Sequence, residues 1–70
     1  MTVYSQKACA PCIKLKYWLG KKELAYEEAP IENHVDELRE LGFWSAPVVK
    51  IGERYFNGAD LSTLAQHLGV

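Results

Sequence analysis

Three observations predict an α/β fold for this 70-residue chain, with the element order β-α-β-α-β-β-α and a four-stranded mixed sheet flanked by three helices. Short β-branched and aromatic runs alternate with longer stretches whose apolar residues recur at helical spacing. Two late runs are separated by only two residues, the mark of a hairpin. The length allows one buried core and not two, so residues 1–70 are expected to form one domain.

Thr2-Val3-Tyr4 reads as the first strand, feeding the polar stretch Ser5-Gln6-Lys7. From Pro11 onward Ile13, Leu15, Trp18 and Leu19 recur at helical spacing, with Lys14, Lys16, Lys21 and Lys22 on the wet side. Pro11 suits the first turn, where a missing N–H is no loss. Ala25-Tyr26-Glu27-Glu28-Ala29 is read as the second strand, stopped by Pro30.

Asn33 offers an N-cap to a second helix that places Val35, Leu38 and Leu41 on one face, and Gly42 closes it in a left-handed conformation. Asp36 and Glu37 in its first turn complement the macrodipole. Val48–Ile51 and Arg54–Phe56 form the hairpin, with Gly52 as first central residue of its turn. Asp60 caps a last helix, with Leu61, Leu64, Ala65 and Leu68 inward and Gly69 ending it. Helices between strands one, two and three predict parallel pairing among them, through right-handed crossovers, and the hairpin adds an antiparallel edge strand.

The composition is 49% hydrophobic and 24% charged, with eight Lys or Arg against nine Asp or Glu and a formal net charge of -1. That excludes charge-driven disorder and argues against nucleic acid held by an overall field. No apolar run approaches the roughly 20 residues of a membrane span, and Met1–Ser5 lacks the opening of a signal peptide. The expectation is a cytoplasmic monomer without nucleic-acid or membrane partners. Lys7, Lys14, Lys16, Lys21 and Lys22 all precede the first acid, Glu23, while Glu27, Glu28, Glu32, Asp36, Glu37 and Glu40 crowd the middle. Such runs are ordinarily solvated faces; the sharper reading is a basic first helix that steers an acidic partner segment toward the cysteines.

Cys9 and Cys12 carry the chemistry. A bridge between them closes so short a loop that it removes little entropy from the unfolded chain, which makes a structural staple a poor explanation. Cys-x-x-Cys where a strand feeds a helix is a redox spacing. Unpaired amides and positive partial charge at a helix N-terminus stabilise a thiolate relative to the thiol. Cys9, at the helix mouth, is the candidate nucleophile, with Cys12 one turn inside, and Lys7 would add positive charge if its side chain turns inward. Zinc would need a second pair of ligands, which the chain lacks, since His34 and His67 belong to distant helices. An iron-sulfur cluster shared between two chains needs only a Cys or two from each, so a non-catalytic carrier stays as the rival of another class. Both histidines read as surface or boundary residues.

Val3-Tyr4-Ser5, Cys9-Ala10-Pro11-Cys12, Trp18-Leu19, Gly42-Phe43, Ala46-Pro47-Val48-Val49 and Gly58, in that order along the chain, resemble the glutaredoxin-like redoxins called NrdH. The resemblance implies a minimal thioredoxin fold and a cis-proline at Pro47 that faces the cysteines. A cis X-Pro turn entering a strand would present the backbone of Ala46 to an extended substrate, whereas a proline that merely begins a strand would have no such role. The resemblance further implies reduction by thioredoxin reductase and service to a class Ib ribonucleotide reductase, with no resident cofactor.

The alternative within the class is a glutathione-dependent glutaredoxin, with glutathione as co-substrate. For it, Asn57-Gly58-Ala59-Asp60 is similar to the Gly-Gly-x-Asp with which glutaredoxins hold glutathione, although Asp60 is equally an N-cap. Against it, Gln6 stands where glutaredoxins often carry a basic residue, and Ala10-Pro11 resembles the Gly-Pro of thioredoxins. The Trp-Ser-Gly-Phe-Arg-Pro of NrdH redoxins is itself altered to Phe56-Asn57-Gly58-Ala59-Asp60-Leu61. The candidate site is therefore Cys9 and Cys12 for catalysis, with Ala46, Pro47, Gly58, Asp60 and Trp44 for substrate, and no metal. Trp18 is read as core, and Trp44, beside Phe43, as an exposed apolar contact for a protein partner.

Overall fold

Val3 and Tyr4 point to opposite faces of the first strand, and the two layers of the molecule follow from that alternation. The computed structural model describes residues 1–69. Its elements are β1 (Thr2–Ser5), α1 (Ala10–Lys21), β2 (Glu27–Pro30), a 3₁₀ turn (Ile31–Asn33), α2 (Val35–Glu40), β3 (Val48–Ile51), β4 (Arg54–Asn57) and α3 (Leu61–Leu68). The order of elements is the one expected. Val3 packs with Leu15, Leu19, Val49 and Leu64, so α1 and α3 cover one face. Tyr4 packs with Val48 and Leu38, so α2 covers the other. Trp18 is half-buried against the first cluster, as its reading as core requires.

The sheet order is β2-β1-β3-β4. β1 and β2 are parallel, with Ser5 opposite Pro30, and β3 and β4 form the antiparallel hairpin. The expectation of parallel pairing fails between β1 and β3, which run antiparallel with Tyr4 opposite Val48 and Thr2 opposite Lys50. A parallel return needs a connection that travels back along the strand. α2 and the loop after it instead bring Val48 to the same end of the sheet that β2 has just left. The ends of β1 and β2 and the start of β3 therefore gather at one end of the sheet, from which the cysteine-bearing loop departs.

Three local expectations are also corrected. β2 begins at Glu27 rather than Ala25 and includes Pro30, which an edge strand tolerates because its missing donor faces away from the ladder. Asn33 does not cap α2: the 3₁₀ turn, closed by His34 N–H to Ile31 C=O at 2.9 Å, uses it up, and His34 takes the cap position without a side-chain bond. Ile13 is 62% exposed; two residues, or about 200° of helix, separate it from Leu15, so it lies opposite the buried stripe of Cys12, Leu15 and Leu19.

Gly42, Gly52 and Gly69 hold the left-handed turns expected of them. No helix among the described residues is long and apolar enough to cross a membrane.

Candidate functional site

The loop Gln6–Ala8 carries the chain from β1 to the N-terminus of α1, with Ala8 in the left-handed region at φ 53°. That turn delivers Cys9 to the N-cap, where its Sγ accepts the Cys12 N–H at 3.2 Å and its carbonyl accepts the Ile13 N–H at 3.1 Å. Pro11 occupies the first turn. The cysteines are joined as a disulfide with Cα atoms 5.2 Å apart. Cys9 retains 6% exposure and Cys12 none, so the outer sulfur belongs to Cys9. On reduction, the Cys12 N–H and the helix end would both stabilise negative charge on that sulfur.

Pro47 enters β3 through a cis peptide bond with Ala46. Pro47 is buried and Ala46 half-buried. Gly58, just after β4, is pressed against it: the Gly58 N–H donates to the Pro47 carbonyl at 2.9 Å. A Cβ on Gly58 would lie 2.9 Å from both Pro47 Cγ and Leu15 Cδ2. Since Leu15 is one turn beyond Cys12, the proline ring and the cysteine-bearing helix converge on this glycine. Gly58 also lines a cleft of about 350 Å³ with Ala10, Pro11, Lys14, Leu15, Ala59 and Leu61.

Asp60 lies next to that cleft as the N-cap of α3. One oxygen accepts the Thr63 N–H at 3.2 Å and the other the Thr63 hydroxyl at 2.7 Å, and these bonds hold its carboxyl below its ordinary pKa. Trp44 is 75% exposed and lines a smaller groove of about 160 Å³ with Gln6, Phe43 and Ala46. The Arg39 guanidinium lies over its ring, 5.2 Å from the centroid. Pro47 and Gly58 are thus brought together against Leu15, one turn beyond Cys12, while Asp60 follows the Gly58–Ala59 wall of the cleft and Trp44 lines a separate groove.

Sequence reasoning missed two sets of residues. Lys16 of α1 reaches Glu28 of β2 at 2.7 Å, and Ser5 donates to the same carboxylate oxygen at 3.0 Å. The lysine, first of these causes, and the serine hold Glu28 below the usual carboxylate range. On the α2 face, Tyr55 donates to Glu37 at 3.1 Å and Tyr4 packs edge-on against His34 at 4.9 Å. Neither set has a sequence signal, because each joins residues of separate elements. Among the described residues, no three His, Cys, Asp or Glu side chains converge as metal ligands.

The Glutaredoxin family model matches residues 1–56. The chain is 36% identical over 69 residues to the glutaredoxin-like protein NrdH of Lactococcus lactis subsp. lactis (strain IL1403), covering 94% of this chain and 96% of that protein. The NrdH of Lactococcus lactis subsp. cremoris (strain MG1363) matches with the same identity and coverage. The crystal structure of a mutant of the thioredoxin-like protein BC3987 superposes with a TM-score of 0.80 at 30% identity, covering 96% of each chain.

Proposed function

The chain belongs to the glutaredoxin family, as an NrdH-type thiol-disulfide oxidoreductase with a thioredoxin fold, and from that premise we propose that it carries electrons from thioredoxin reductase to a ribonucleotide reductase in the cytoplasm. The observation that carries the chemistry is Cys9 Sγ at the N-cap, the outer sulfur of the pair, accepting the Cys12 N–H at 3.2 Å.

The Cys9 thiolate attacks one sulfur of the target's disulfide. A mixed S–S bond forms as the target's own breaks, and the released target thiolate takes a proton. Deprotonated Cys12 then attacks Cys9 Sγ, which closes the internal disulfide and releases the second target sulfur, protonated in turn. Two electrons and two protons reach the target. The reductase returns both to the Cys9–Cys12 disulfide, and no resident cofactor is involved.

Around this pair, Ala46 offers its backbone beside buried Pro47 to an extended target segment. Gly58 keeps the cleft wall close to Pro47. Trp44 supplies an exposed apolar contact for protein partners, which suits a reductase more than a tripeptide. Two features weigh against glutathione as the electron source: Gln6 is neutral, and Ala10-Pro11 resembles the Gly-Pro of thioredoxins.

The test follows NADPH oxidation with the protein and a disulfide substrate, coupled in one arm to thioredoxin reductase and in the other to glutathione and its reductase. Faster turnover in the first arm is expected. Equal or faster turnover with glutathione would replace the proposal by a glutathione-dependent glutaredoxin, and turnover in neither would remove the redox role.

A further inference from the structure

Two of the four large apolar side chains that stand exposed among the described residues, Ile13 and Tyr17, belong to α1. They are four residues apart and share a face. Ala10 and Gly20, also exposed, extend the same face at both ends, giving an apolar track that spans about 15 Å at a rise of 1.5 Å per residue. The track begins between the two cysteines.

Its flanks are basic. At 100° per residue, Lys14 and Lys21 lie along one side of the Ile13–Tyr17 line and Lys16 along the other. The Lys21 ammonium sits over the Tyr17 ring, 5.3 Å from its centroid. Lys16 is engaged by Glu28, whereas among the described residues no salt bridge engages Lys14 or Lys21. No acidic residue occurs before Glu23, so nothing on this helix neutralises the flank.

Resting on the redox reading above, we infer that this face of α1 is a docking track for the target, and that its occupant is an acidic segment with two apolar anchors, next in sequence to the target's redox disulfide. Charge complementarity selects that occupant, and the origin of the track at Ala10 fixes where its disulfide must lie. Ile13 and Tyr17 receive the anchors, while Lys14 and Lys21 attract the carboxylates and speed encounter.

The experiment oxidises the pre-reduced protein in a single turnover and follows tryptophan fluorescence. Three disulfides are compared: a peptide with an acidic-apolar segment beside its disulfide, the same peptide with Asp and Glu replaced by Lys, and neutral bis(2-hydroxyethyl) disulfide. The acidic peptide should react at least about tenfold faster than the basic one, with a rate that falls as salt is added. Ile13→Ser with Tyr17→Ser should cut the acidic peptide's rate by about fivefold or more relative to that with the small disulfide. Lys14→Glu with Lys21→Glu should reverse the order of the two peptides.

Equal rates for both peptides, or a peptide-to-small-disulfide ratio unchanged by the substitutions, would overturn the track while leaving the redox reading intact. Failure to oxidise with any of the three disulfides would strike the redox reading itself. A concentration-dependent dimer by sedimentation, abolished by Lys14→Glu with Lys21→Glu, would assign the face to a second copy and overturn the proposed occupant.

Discussion

The Pro47 carbonyl accepts the Gly58 N–H at 2.9 Å, with no room between them for a side chain. A Cβ at residue 58 would stand 2.9 Å from Pro47 Cγ and 3.0 Å from the Pro47 carbonyl oxygen. Gly58 lies outside the left-handed region, so close approach and not backbone conformation requires the glycine. Gly58→Ala is expected to destabilise the protein by about 1–3 kcal/mol, the range for overpacking a filled site. Urea denaturation reads this directly, and an unchanged midpoint would contradict it.

The C-terminus of α1 leads to the opposite kind of prediction. Glu23 N–H bonds to Gly20 C=O at 3.1 Å and Leu24 N–H to Leu19 C=O at 3.0 Å, with Glu23 at φ 57°. This is a Schellman ending whose left-handed position usually holds glycine. Nothing in the hydrogen bonding depends on the Glu23 side chain. Glu23→Gly should therefore stabilise the fold by up to about 1 kcal/mol by relieving the Cβ penalty. Thermal unfolding should show a higher Tm, and a lower one would show that the side chain has an unseen role.

Acid sensitivity follows from three carboxylates. The Tyr55 hydroxyl, then His34, hold Glu37 below its ordinary 4.5; Lys16, then Ser5, do the same for Glu28; and Thr63 lowers Asp60 below 3.8. A folded pKa below the unfolded value contributes stability that is complete above the unfolded pKa and lost as pH falls through the folded one. Stability should fall progressively below about pH 4.5. Glu37→Gln should be less stable than wild type at pH 7, with the gap closing as the wild-type carboxyl protonates. Denaturation midpoints at pH 7 and pH 3 check this, and a gap no smaller at pH 3 than at pH 7 would contradict it.

How far these features can be seen in the sequence depends on whether they are local. Asp60, three residues before Thr63, reads as a cap because the bond is made within one turn, and the structure has it. Gly42 and Gly52 are equally local. The Cys9–Cys12 spacing and the Ala46-Pro47 step are visible as motifs, and the structure places both at the end of the sheet where β1 ends and β3 begins. The antiparallel β1–β3 pair was not visible, since the direction of β3 is set by long-range pairing that no local residue signals. Ile13 counts as apolar in any periodicity, yet lies opposite Leu15. Glu23 in a left-handed turn contradicts local preference, and the packing of Leu24 against the core overrides it.

Reactivity of the two thiols should differ. With the disulfide closed, Cys9 keeps 6% exposure and Cys12 none, so after reduction brief iodoacetamide treatment at neutral pH should label Cys9 alone. Mass spectrometry of the digested protein gives the site, and preferential labelling of Cys12 would reverse the proposed roles.

The ordered attack by Cys9 and resolution by Cys12 is tested most directly by trapping. Cys12→Ser and Cys9→Ser, each reduced, are mixed with an oxidised ribonucleotide reductase and separated by non-reducing electrophoresis. Cys12→Ser should accumulate a covalent mixed disulfide that dithiothreitol removes, because the resolving sulfur is gone. Cys9→Ser should form none, since its remaining sulfur is fully buried. Equal trapping by both variants, or trapping by Cys9→Ser alone, would contradict the mechanism.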